Sequence, residues 1–558
     1  MTVRMNRSAA AAIALLAMAL LPACTAPRAE TPPAAPPVTV QVATTSAALA
    51  RAPGCEDRFV PHALGVMDGA RMREIRTYAS NGAGLAAGDL DGDGDLDLVL
   101  ASTDRESTLL WNQGGLAFAA EPLADPFTRA AAIVDVGGDG LLDVVFTHRG
   151  AASLSYWRNR GPQAPRFAHE DLPGVTHHAY TMAWGDLNGD GTLDLVAGAY
   201  EAELKSHGLS AQEIAQRGGV ALYEQRGARF APRPLAARAQ TLAIALVDLD
   251  GDGLRDIWAA NDFALPDGHW LRRGDAWEPA QPFAQTSHST MSIDWGDIAN
   301  DGRLALFSTD MNPGDIAPAV LAAWLPVIGK LEEKHGPADP QIMANTLQLP
   351  DGAGRWHNEA ARRGVDATGW SWSGRFGDLD NDGFLDLYVV NGMIAQNLFG
   401  HLPGAELVEE NRAFHNRGDG SFRPAPEWGL AATESGRGML MADMDADGDL
   451  DVVVNNLRGP AMLFENRLCG GDGLEVDLHW RGSPNTRAVG AVLELDTSMG
   501  TLRRDVRAMS GYLAGDPPRV HFGFPPGTEL RRLVIRYPDG AVAQVEGLAP
   551  QTLIEVIR

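Results

Sequence analysis

The segment Gly88-Asp-Leu-Asp-Gly-Asp-Gly-Asp-Leu-Asp97, which runs into the apolar Leu98-Val-Leu100, decides the fold. The same phrase begins six more times along the chain, and each copy leads into a short stretch typical of a β-strand. The starting aspartates are Asp89, Asp135, Asp186, Asp248, Asp297, Asp378 and Asp443. Repetition at roughly 40–50 residues is typical of β-propeller blades, which have four strands each. Wider spacings, such as that from Asp297 to Asp378, then require insertions.

A second phrase follows most copies, an aromatic-rich strand that ends in a polar turn. Examples are Leu110-Trp-Asn112 and Phe414-His-Asn416, and a further short strand headed by phenylalanine comes next, as at Phe422. A strand, an acidic loop and three further strands make one blade. We therefore predict an all-β protein whose main body, residues 55–469, is a seven-bladed propeller.

The acidic loop has the composition of a calcium site. Side-chain oxygens at positions 1, 3, 5 and 9, with the carbonyl of position 7, give oxygen ligands only, and Ca²⁺ takes 6–8 of them. Glycine at position 6 permits the sharp turn that folds the ligands inward. An EF-hand would place a glutamate at position 12 between two helices. Here the ninth position is aspartate and strands flank the loop, so EF-hand and dockerin sites are excluded.

Five of the seven loops are complete, which predicts about five structural Ca²⁺ sites. The ligands are Asp89, Asp91, Asp93 and Asp97; Asp186, Asn188, Asp190 and Asp194; Asp248, Asp250, Asp252 and Asp256; Asp378, Asp380, Asp382 and Asp386; and Asp443, Asp445, Asp447 and Asp451. The alternative is a solvated acidic turn without metal, which the mutual repulsion of so many carboxylates disfavours. Gly137 interrupts the Asp135 copy, and Ala299 and Ala305 interrupt the Asp297 copy, so these two should keep the turn and bind weakly or not at all.

These repeats resemble the FG-GAP/VCBS repeats of integrin-α-like propellers over roughly residues 56–468. Further on, the phrases Asn485-Thr-Arg-Ala-Val-Gly490, Ser510-Gly-Tyr-Leu513 and Tyr537-Pro-Asp-Gly540 look like the ASPIC/UnbV domain of cartilage acidic protein relatives. The resemblance implies such a domain at residues 470–558 and implies no established reaction. One departure is the fifth blade, where that family usually keeps an acidic loop. Short β-patterned runs in this region independently predict a small β-sandwich.

The first 23 residues have the pattern of a lipoprotein signal peptide. Arg4 and Arg7 precede an apolar run that is shorter than the roughly 20 residues of a transmembrane helix. The run ends in Leu21-Pro-Ala-Cys24, which resembles the bacterial lipobox and implies cleavage before Cys24 and lipidation of that residue. The alternative is an ordinary secretory signal with a chance cysteine.

Thr25 is not the aspartate of an inner-membrane retention signal, so we predict a lipoprotein of the bacterial cell envelope, in the outer membrane. It would face the periplasm or the cell surface. Residues 24–54 are rich in Pro, Ala and Thr, and they are expected to form an extended tether between lipid and body.

The formal net charge of -26 argues against nucleic acid as a partner and in favour of cations as ligands. The sequence has no GxSxG elbow, Gly-rich phosphate loop, HExxH or CxxC motif. We therefore predict a binding or scaffold protein rather than an enzyme. The alternative is a Ca²⁺-dependent polysaccharide-cleaving or other hydrolytic enzyme that uses the mouth of the propeller channel.

The segments that enter the first strand of each blade should converge on that channel mouth, opposite the acidic loops. Their aromatic, imidazole and guanidinium groups predict a site for a carbohydrate, peptide or protein ligand, formed by His177, His178, Tyr180, His288, Trp370, Trp372 and Arg437. Insertions at residues 201–219 and 312–344 should border the same face, and the apolar spacing of the second predicts a helix. The alternative is that these side chains only plug the channel.

A disulfide between Cys55 and Cys469 is predicted. With Cys24 lipidated, these are the two remaining cysteines in an oxidising compartment. The seventh blade lacks a fourth strand before the C-terminal domain, and Asp57–Pro61 has the Phe-headed form of one. If this segment pairs with the strand Ala461–Asn466, the ring closes and the two cysteines come within bonding distance.

Overall fold

A computed structural model describes residues 38–558, apart from 51–53, 70, 76, 151, 264, 332–338 and 353. The predicted signal peptide and the lipidation of Cys24 lie outside the described residues. Within them, no helix is both long and apolar enough to cross a membrane.

The first two strands do not belong to blade 1: β1 pairs with a strand of the C-terminal domain, and β2 pairs with a strand of blade 7. They are followed by two blades of four strands each, joined in sequence order. The bounds are β1 (Ala43–Ala48) and β2 (Arg58–Met67); for blade 1, β3 (Leu85–Gly88), β4 (Asp97–Leu100), β5 (Glu106–Asn112) and β6 (Phe118–Pro126); and for blade 2, β7 (Thr128–Val134), β8 (Asp143–His148), β9 (Ser155–Asn159) and β10 (Phe167–Glu170).

Blades 3 and 4 repeat the pattern, and the predicted insertion of blade 3 folds as two short helices. Blade 3 comprises β11 (Thr181–Gly185), β12 (Asp194–Gly198), α1 (Glu201–Ser206), α2 (Ala211–Arg217), β13 (Val220–Arg226) and β14 (Arg229–Ala236). Blade 4 comprises β15 (Thr241–Val247), β16 (Asp256–Asn261), β17 (Gly268–Arg273) and β18 (Ala276–Ala280), and it is followed by the two-residue β19 (Thr286–Ser287).

The insertions of blades 5 and 6 carry short extra strands and three helices. Blade 5 and its insertion comprise β20 (Ile293–Gly296), β21 (Ala305–Ser308), β22 (Met311–Asn312), α3 (Pro318–Leu331), β23 (Gln341–Ile342), β24 (Thr346–Pro350), β25 (Trp356–Asn358) and α4 (Ala360–Arg363). Blade 6 comprises β26 (Gly369–Gly377), β27 (Asp386–Asn391), β28 (Met393–Ile394), α5 (Gln396–Phe399), β29 (Glu406–Leu407), β30 (Arg412–Asn416) and β31 (Phe422–Pro424). The 14-residue α3 confirms the predicted helix.

Blade 7 closes the ring as predicted. Its own strands are β32 (Gly436–Ala442), β33 (Asp451–Asn456) and β34 (Pro460–Arg467), and β2 supplies the fourth by pairing antiparallel with β34, with Phe59 opposite Asn466. The disulfide Cys55–Cys469 sits at the end of this pair, with a Cα–Cα distance of 5.0 Å. The chain is therefore a seven-bladed propeller whose ring is closed by both hydrogen bonds and a covalent bond.

The first strand of each blade is buried on both faces, because it lies nearest the ring axis and packs against the neighbouring blades. All four residues of Leu85–Gly88 and all seven of Thr128–Val134 are buried. Outer strands are more exposed, as in Arg229–Ala236, where only Phe230 is buried. Each acidic loop joins the first strand of a blade to the second, so all seven loops lie on one face of the ring.

Two further sheets form the C-terminal β-sandwich. One has the order β1–β43–β35–β40 and the other the order β37–β36–β41–β42. Their facing side chains, including Leu474, Phe522 and Ile535, form a separate buried core. The sandwich strands after blade 7 are β35 (Asp472–His479), β36 (Val492–Thr497), β37 (Gly500–Asp505), β40 (Val520–Phe524), β41 (Leu530–Arg536), β42 (Val542–Val545) and β43 (Thr552–Ile557). Two short strands of the same domain, β38 (Met509–Ser510) and β39 (Ala514–Gly515), join the sheet of blade 1 instead.

The expected tether differs from the structure over its described part. Ala43–Ala48 forms β1, which pairs antiparallel with β43 at the edge of the sandwich, and the Val40 N–H donates to the Val542 carbonyl at 2.9 Å. All six side chains of β1 are exposed, so its residues show no alternation of apolar and polar types. Backbone pairing and one exposed hydrogen bond, from Thr45 Oγ1 to Glu555 at 2.7 Å, hold the strand. Its composition therefore suggested an unstructured linker.

A hairpin of the C-terminal domain, residues 509–515, enters the central channel of the propeller. Gly515 pairs with Ala86 on the innermost strand of blade 1, and the Gly511 N–H donates to the Ile293 carbonyl of blade 5 at 2.9 Å. A Cβ at Gly84 would lie 1.8 Å from the Leu513 carbonyl oxygen, so only glycine permits this approach. The channel is thus filled from the face that carries the acidic loops.

Candidate metal centres and the filled channel

Each acidic loop is folded by its own carboxylates. In blade 1, Asp89 accepts hydrogen bonds from the N–H groups of Gly92 (2.7 Å) and Gly94 (3.1 Å). The ninth residue, Asp97, accepts from Leu90 N–H (3.0 Å) and from Asn112 N–H (2.9 Å), which ties the loop to the third strand. These bonds occupy part of each carboxylate and leave its other lone pairs facing the loop interior.

The predicted ligands converge in the complete loops. In four of them, ligand oxygens from three carboxylates lie within 4.8 Å of one another: Asp89, Asp91 and Asp97; Asp248, Asp250 and Asp256; Asp378, Asp380 and Asp382; and Asp443, Asp445 and Asp451. The fifth loop, which contains Asn188, has the same turn, with Asp186 accepting from Gly189 N–H (2.7 Å) and Gly191 N–H (3.0 Å). Hard oxygen donors in this number and spacing fit Ca²⁺.

Burial disfavours the ionised form of the aspartates at position 9 of the loops. It raises the pKa of Asp97, Asp194 and Asp256 to about 7 each, and hydrogen bonds from backbone N–H groups only partly oppose it. The pKa of Asp386 and of Asp451 is raised well above the usual range, first by burial and then by neighbouring aspartates. Such carboxylates favour either a proton or a cation. A bound divalent ion would keep them ionised.

The two interrupted loops keep their turns, as predicted. Asp297 accepts from Gly302 N–H at 2.8 Å, and Asp135 accepts from Gly140 N–H at 2.7 Å. At Asp135, a hydroxyl from the C-terminal domain, Thr486 Oγ1, also donates to the carboxylate at 2.6 Å. Their weaker metal binding stays a prediction.

Asparagine side-chain amides join four of the loops to the next blade, a feature that sequence reasoning missed. An asparagine at the end of the third strand donates from Nδ2 to the carbonyl of position 2 in the neighbouring loop. The pairs are Asn112 with Met444 (2.8 Å), Asn159 with Leu90 (2.8 Å), Asn416 with Ile298 (2.7 Å) and Asn466 with Leu379 (2.8 Å). The asparagine that recurs at the end of the third strand in blades 1, 2, 6 and 7 was the available signal. Each of these hydrogen bonds therefore couples the conformation of one loop directly to the neighbouring blade.

The C-terminal domain rests on the loops of blades 6 and 7. The Asp380 carbonyl accepts from Gly471 N–H (3.1 Å), and the Asp447 carbonyl accepts from Gln551 Nε2 (2.9 Å). His521 Nε2 lies 3.0 Å from the Gly448 carbonyl oxygen. The loops that are predicted to bind calcium thus also form the surface on which the C-terminal domain packs.

The predicted ligand-binding residues divide into two groups, and all seven are buried. Tyr180, Trp372 and Arg437 surround Tyr512 of the inserted hairpin. The Arg437 guanidinium lies 4.2 Å from the centre of the Trp372 ring, and the Trp372 and Tyr512 ring centres are 5.2 Å apart. Arg437 also donates to the Ser80 carbonyl at 2.8 Å.

The other four lie away from the hairpin, beneath the insertions. Trp370 packs against Trp324 of α3 with ring centres 5.6 Å apart, and His177 Nε2 is 3.0 Å from the Gly219 carbonyl oxygen. The backbone N–H of His178 donates to the Arg217 carbonyl (2.8 Å), and that of His288 donates to Asp310 (2.7 Å). This burial favours the plugging alternative, and ligand binding by these seven residues stays a prediction.

Comparison with known proteins identifies both parts of the chain. A model of the FG-GAP-like repeat matches residues 89–146, 135–197 and 405–454, and a model named ASPIC and UnbV matches residues 481–558. Cartilage acidic protein 1 of Xenopus tropicalis is 24% identical over 313 residues, which are 51% of this chain and 41% of that protein. The chain therefore spans less than half the length of this curated relative.

Solved structures whose backbone follows a similar path have low sequence identity to this chain. BBS1N, solved in complex with ARL6DN, is 12% identical and covers 72% of this chain and 98% of its own, with a TM-score of 0.39. The Pan2 WD40 domain of Neurospora crassa is 8% identical and covers 74% and 97%, with a TM-score of 0.40. The chain thus contains FG-GAP-like repeats followed by an ASPIC/UnbV domain, and it is similar to cartilage acidic protein 1 over about half of its own length.

Proposed function

We propose that this protein is a calcium-stabilised binding or scaffold protein outside the cytoplasm, held on a bacterial outer membrane by a lipid on Cys24. The convergence of carboxylate oxygens within 4.8 Å in four complete loops carries the proposal. Without a cation, these groups would repel one another in partly buried surroundings. Calcium supplies the missing charge and fixes loops on which neighbouring blades and the C-terminal domain rest.

Two observations support a location outside the cytoplasm. FG-GAP-like repeats and ASPIC/UnbV domains are typical of extracellular proteins, and both are present. The Cys55–Cys469 disulfide requires an oxidising compartment, since cytosolic thiols are kept reduced. The lipobox-like sequence that ends at Cys24 adds the membrane anchor to this proposal.

A scaffold role also agrees with how the two domains are joined. The inserted hairpin fills the channel, so the propeller and the sandwich present one continuous outer surface to partners. All seven side chains predicted at the channel mouth are buried, which disfavours both the hydrolytic alternative and ligand binding at that place, so a binding function would use another part of the surface.

Metal analysis of the purified protein tests the calcium part of the proposal. After dialysis against Ca²⁺ and removal of free ion, we expect about five Ca²⁺ per chain, and a matched dialysis against Mg²⁺ should leave far less bound metal. Fewer than one tightly bound Ca²⁺ per chain would contradict it. For the anchor, mass spectrometry of the mature N-terminus should find an acylated Cys24, and the Cys24→Ser variant should leave the membrane fraction.

A further inference from the structure

A surface cleft of about 480 Å³ lies beside the mouth of the channel, on the face opposite the acidic loops. It is formed by the segment that precedes β3, the start of α1, and the connections that flank β15 and β16. Its walls include Tyr78, Ala202, Arg238, Gln240, Asp262 and Phe263. None of these residues belongs to the set predicted from sequence, and none belongs to a metal loop.

Aromatic rings form the apolar part of the cleft. The buried Tyr200 lies behind it, with its ring centre 5.4 Å from that of Tyr78 and 6.4 Å from that of Phe263. Tyr78 and Phe263 are only half-buried, so each presents ring surface to the cleft. Phe263 has a φ of +61°, a conformation that is costly for a bulky side chain and is kept where the surroundings impose it. Asp262 holds it there by accepting the Phe263 N–H at 2.9 Å.

Polar groups of both kinds accompany the rings. The Asp262 carboxylate is among the lining groups, and it accepts the Tyr200 hydroxyl at 2.5 Å. Gln240 accepts the Ala202 N–H through Oε1 at 3.0 Å, which fixes the amide and leaves its NH₂ group as a donor. The Arg238 side chain is 67% exposed, with Nε 3.7 Å from Glu201, and it supplies further donors at the rim.

We infer that this cleft binds a neutral sugar ring, an inference that rests on the proposed binding function and gives it a ligand class. A pyranose has a flat C–H face that packs on aromatic rings, and its neighbouring hydroxyls pair with planar carboxylate, amide and guanidinium groups. A purely apolar ligand would leave the NH₂ group of Gln240 desolvated without a partner. A polyanionic chain would be repelled by the net charge of the protein, which is -26.

The test is a binding titration with the calcium-loaded protein that lacks only its signal peptide. The probes are glucose, galactose, mannose, N-acetylglucosamine and their β-linked disaccharides, each followed by saturation-transfer NMR and calorimetry. We expect at least one to bind, and Tyr78→Leu and Arg238→Ala to weaken that sugar about tenfold, a loss of about 1.4 kcal/mol. Arg226→Ala is the matched control, because Arg226 is 70% exposed, lies in β13 and pairs with a single glutamate.

Two outcomes would overturn the inference. One is that no sugar of the panel binds at about 10 mM, and the other is that binding is unchanged in both cleft variants. In either case, the calcium content and the calcium-dependent melting of the same samples report separately on the proposed function. If the protein takes up Ca²⁺ and binds no sugar, the result refutes the assignment of the cleft and leaves the calcium proposal intact.

Discussion

The hydroxyl oxygen of Tyr512, at the tip of the hairpin that enters the channel, lies 2.6 Å from the hydroxyl oxygen of Tyr180 in blade 3. Tyr512 also donates to the Asn81 carbonyl at 2.9 Å. Burial raises the pKa of Tyr180 to about 12 and that of Tyr512 well above its usual value, so both phenols stay neutral. One side chain of the C-terminal domain thus links two distant parts of the propeller at its centre.

Tyr512→Phe should destabilise the protein by about 1–3 kcal/mol, because it leaves buried polar groups without partners while the ring is kept. The measurement is chemical denaturation at saturating Ca²⁺. Tyr537→Phe is the control, since the buried Tyr537 hydroxyl has no hydrogen-bond partner among the described residues, and its removal should be neutral or slightly stabilising. Equal stability of both variants would show that the Tyr512 hydroxyl does not fasten the hairpin.

Calcium removal should lower the melting temperature strongly. Each site adds about 2.7 kcal/mol when free Ca²⁺ exceeds its Kd a hundredfold, and the five predicted sites act on one ring. Differential scanning calorimetry with Ca²⁺ and with EGTA measures the effect. An unchanged melting temperature in EGTA would contradict the metal sites.

Asp186→Ala and Asp297→Ala form a matched pair for the same question. Both aspartates stand at position 1 and accept the N–H of the glycine five residues on, at 3.0 Å and 2.8 Å. Both substitutions therefore loosen a turn, but only the first removes a complete ligand set. Metal analysis should find about one Ca²⁺ fewer for Asp186→Ala and no change for Asp297→Ala, and equal losses would refute the division into complete and interrupted loops.

Breaking the Cys55–Cys469 bond should cost about 2–5 kcal/mol, since it closes a very long loop. The ring should still form, because β2 remains paired with β34. Denaturation of the Cys55→Ser/Cys469→Ser double variant measures the loss, and adding reductant should then have no further effect. A reductant that destabilises the wild type and the double variant equally would mean that it acts elsewhere.

His269 should make the protein acid-sensitive. It is buried beside Trp258 and Phe283, both ring nitrogens lack hydrogen-bond partners within the described part of the chain, and burial lowers its pKa from 6.5 to about 3. The unfolded chain therefore binds a proton that the folded chain excludes, and stability falls as the pH drops from 6.5 towards 3. At pH 5 this amounts to about 2 kcal/mol relative to pH 7.5.

His269→Phe keeps an aromatic ring in the cluster and should remove this part of the pH dependence, as measured by urea denaturation between pH 5 and pH 7.5. His169→Phe, at an exposed position of β10, controls for the loss of one imidazole. If His269→Phe and the wild type lose stability in parallel as the pH falls, His269 is not the group responsible.

What the sequence predicted depended on local chemistry. The loops, their turns and the strands beside them are encoded within ten to twenty residues, so a single copy was enough to recognise all seven. Ring closure by β2 was also predictable, because Phe59 repeats the phenylalanine at the head of fourth strands such as those at Phe167 and Phe422, and Cys55 and Cys469 mark the junction.

Pairing between distant segments was not predictable in the same way. β1 has no apolar face and finds its partner, β43, at the other end of the chain, so only the fold identifies it as a strand. The phrase Ser510-Gly-Tyr-Leu513 was recognisable as a family motif, yet nothing local shows that Tyr512 reaches Tyr180. That contact explains why Tyr180, Trp372 and Arg437 are buried rather than open to a ligand.

The position of β1 also has a mechanical consequence. A pull applied at residue 38 runs along β1, whose six residues are hydrogen-bonded antiparallel to β43, before it reaches the segment that leads to β2 and the disulfide. Such a pull therefore loads the hydrogen bonds of Val38 and Val40 to Val542, and then the edge strand β1 in shear. The propeller follows that strand along the chain, so the sandwich bears the load before the ring does.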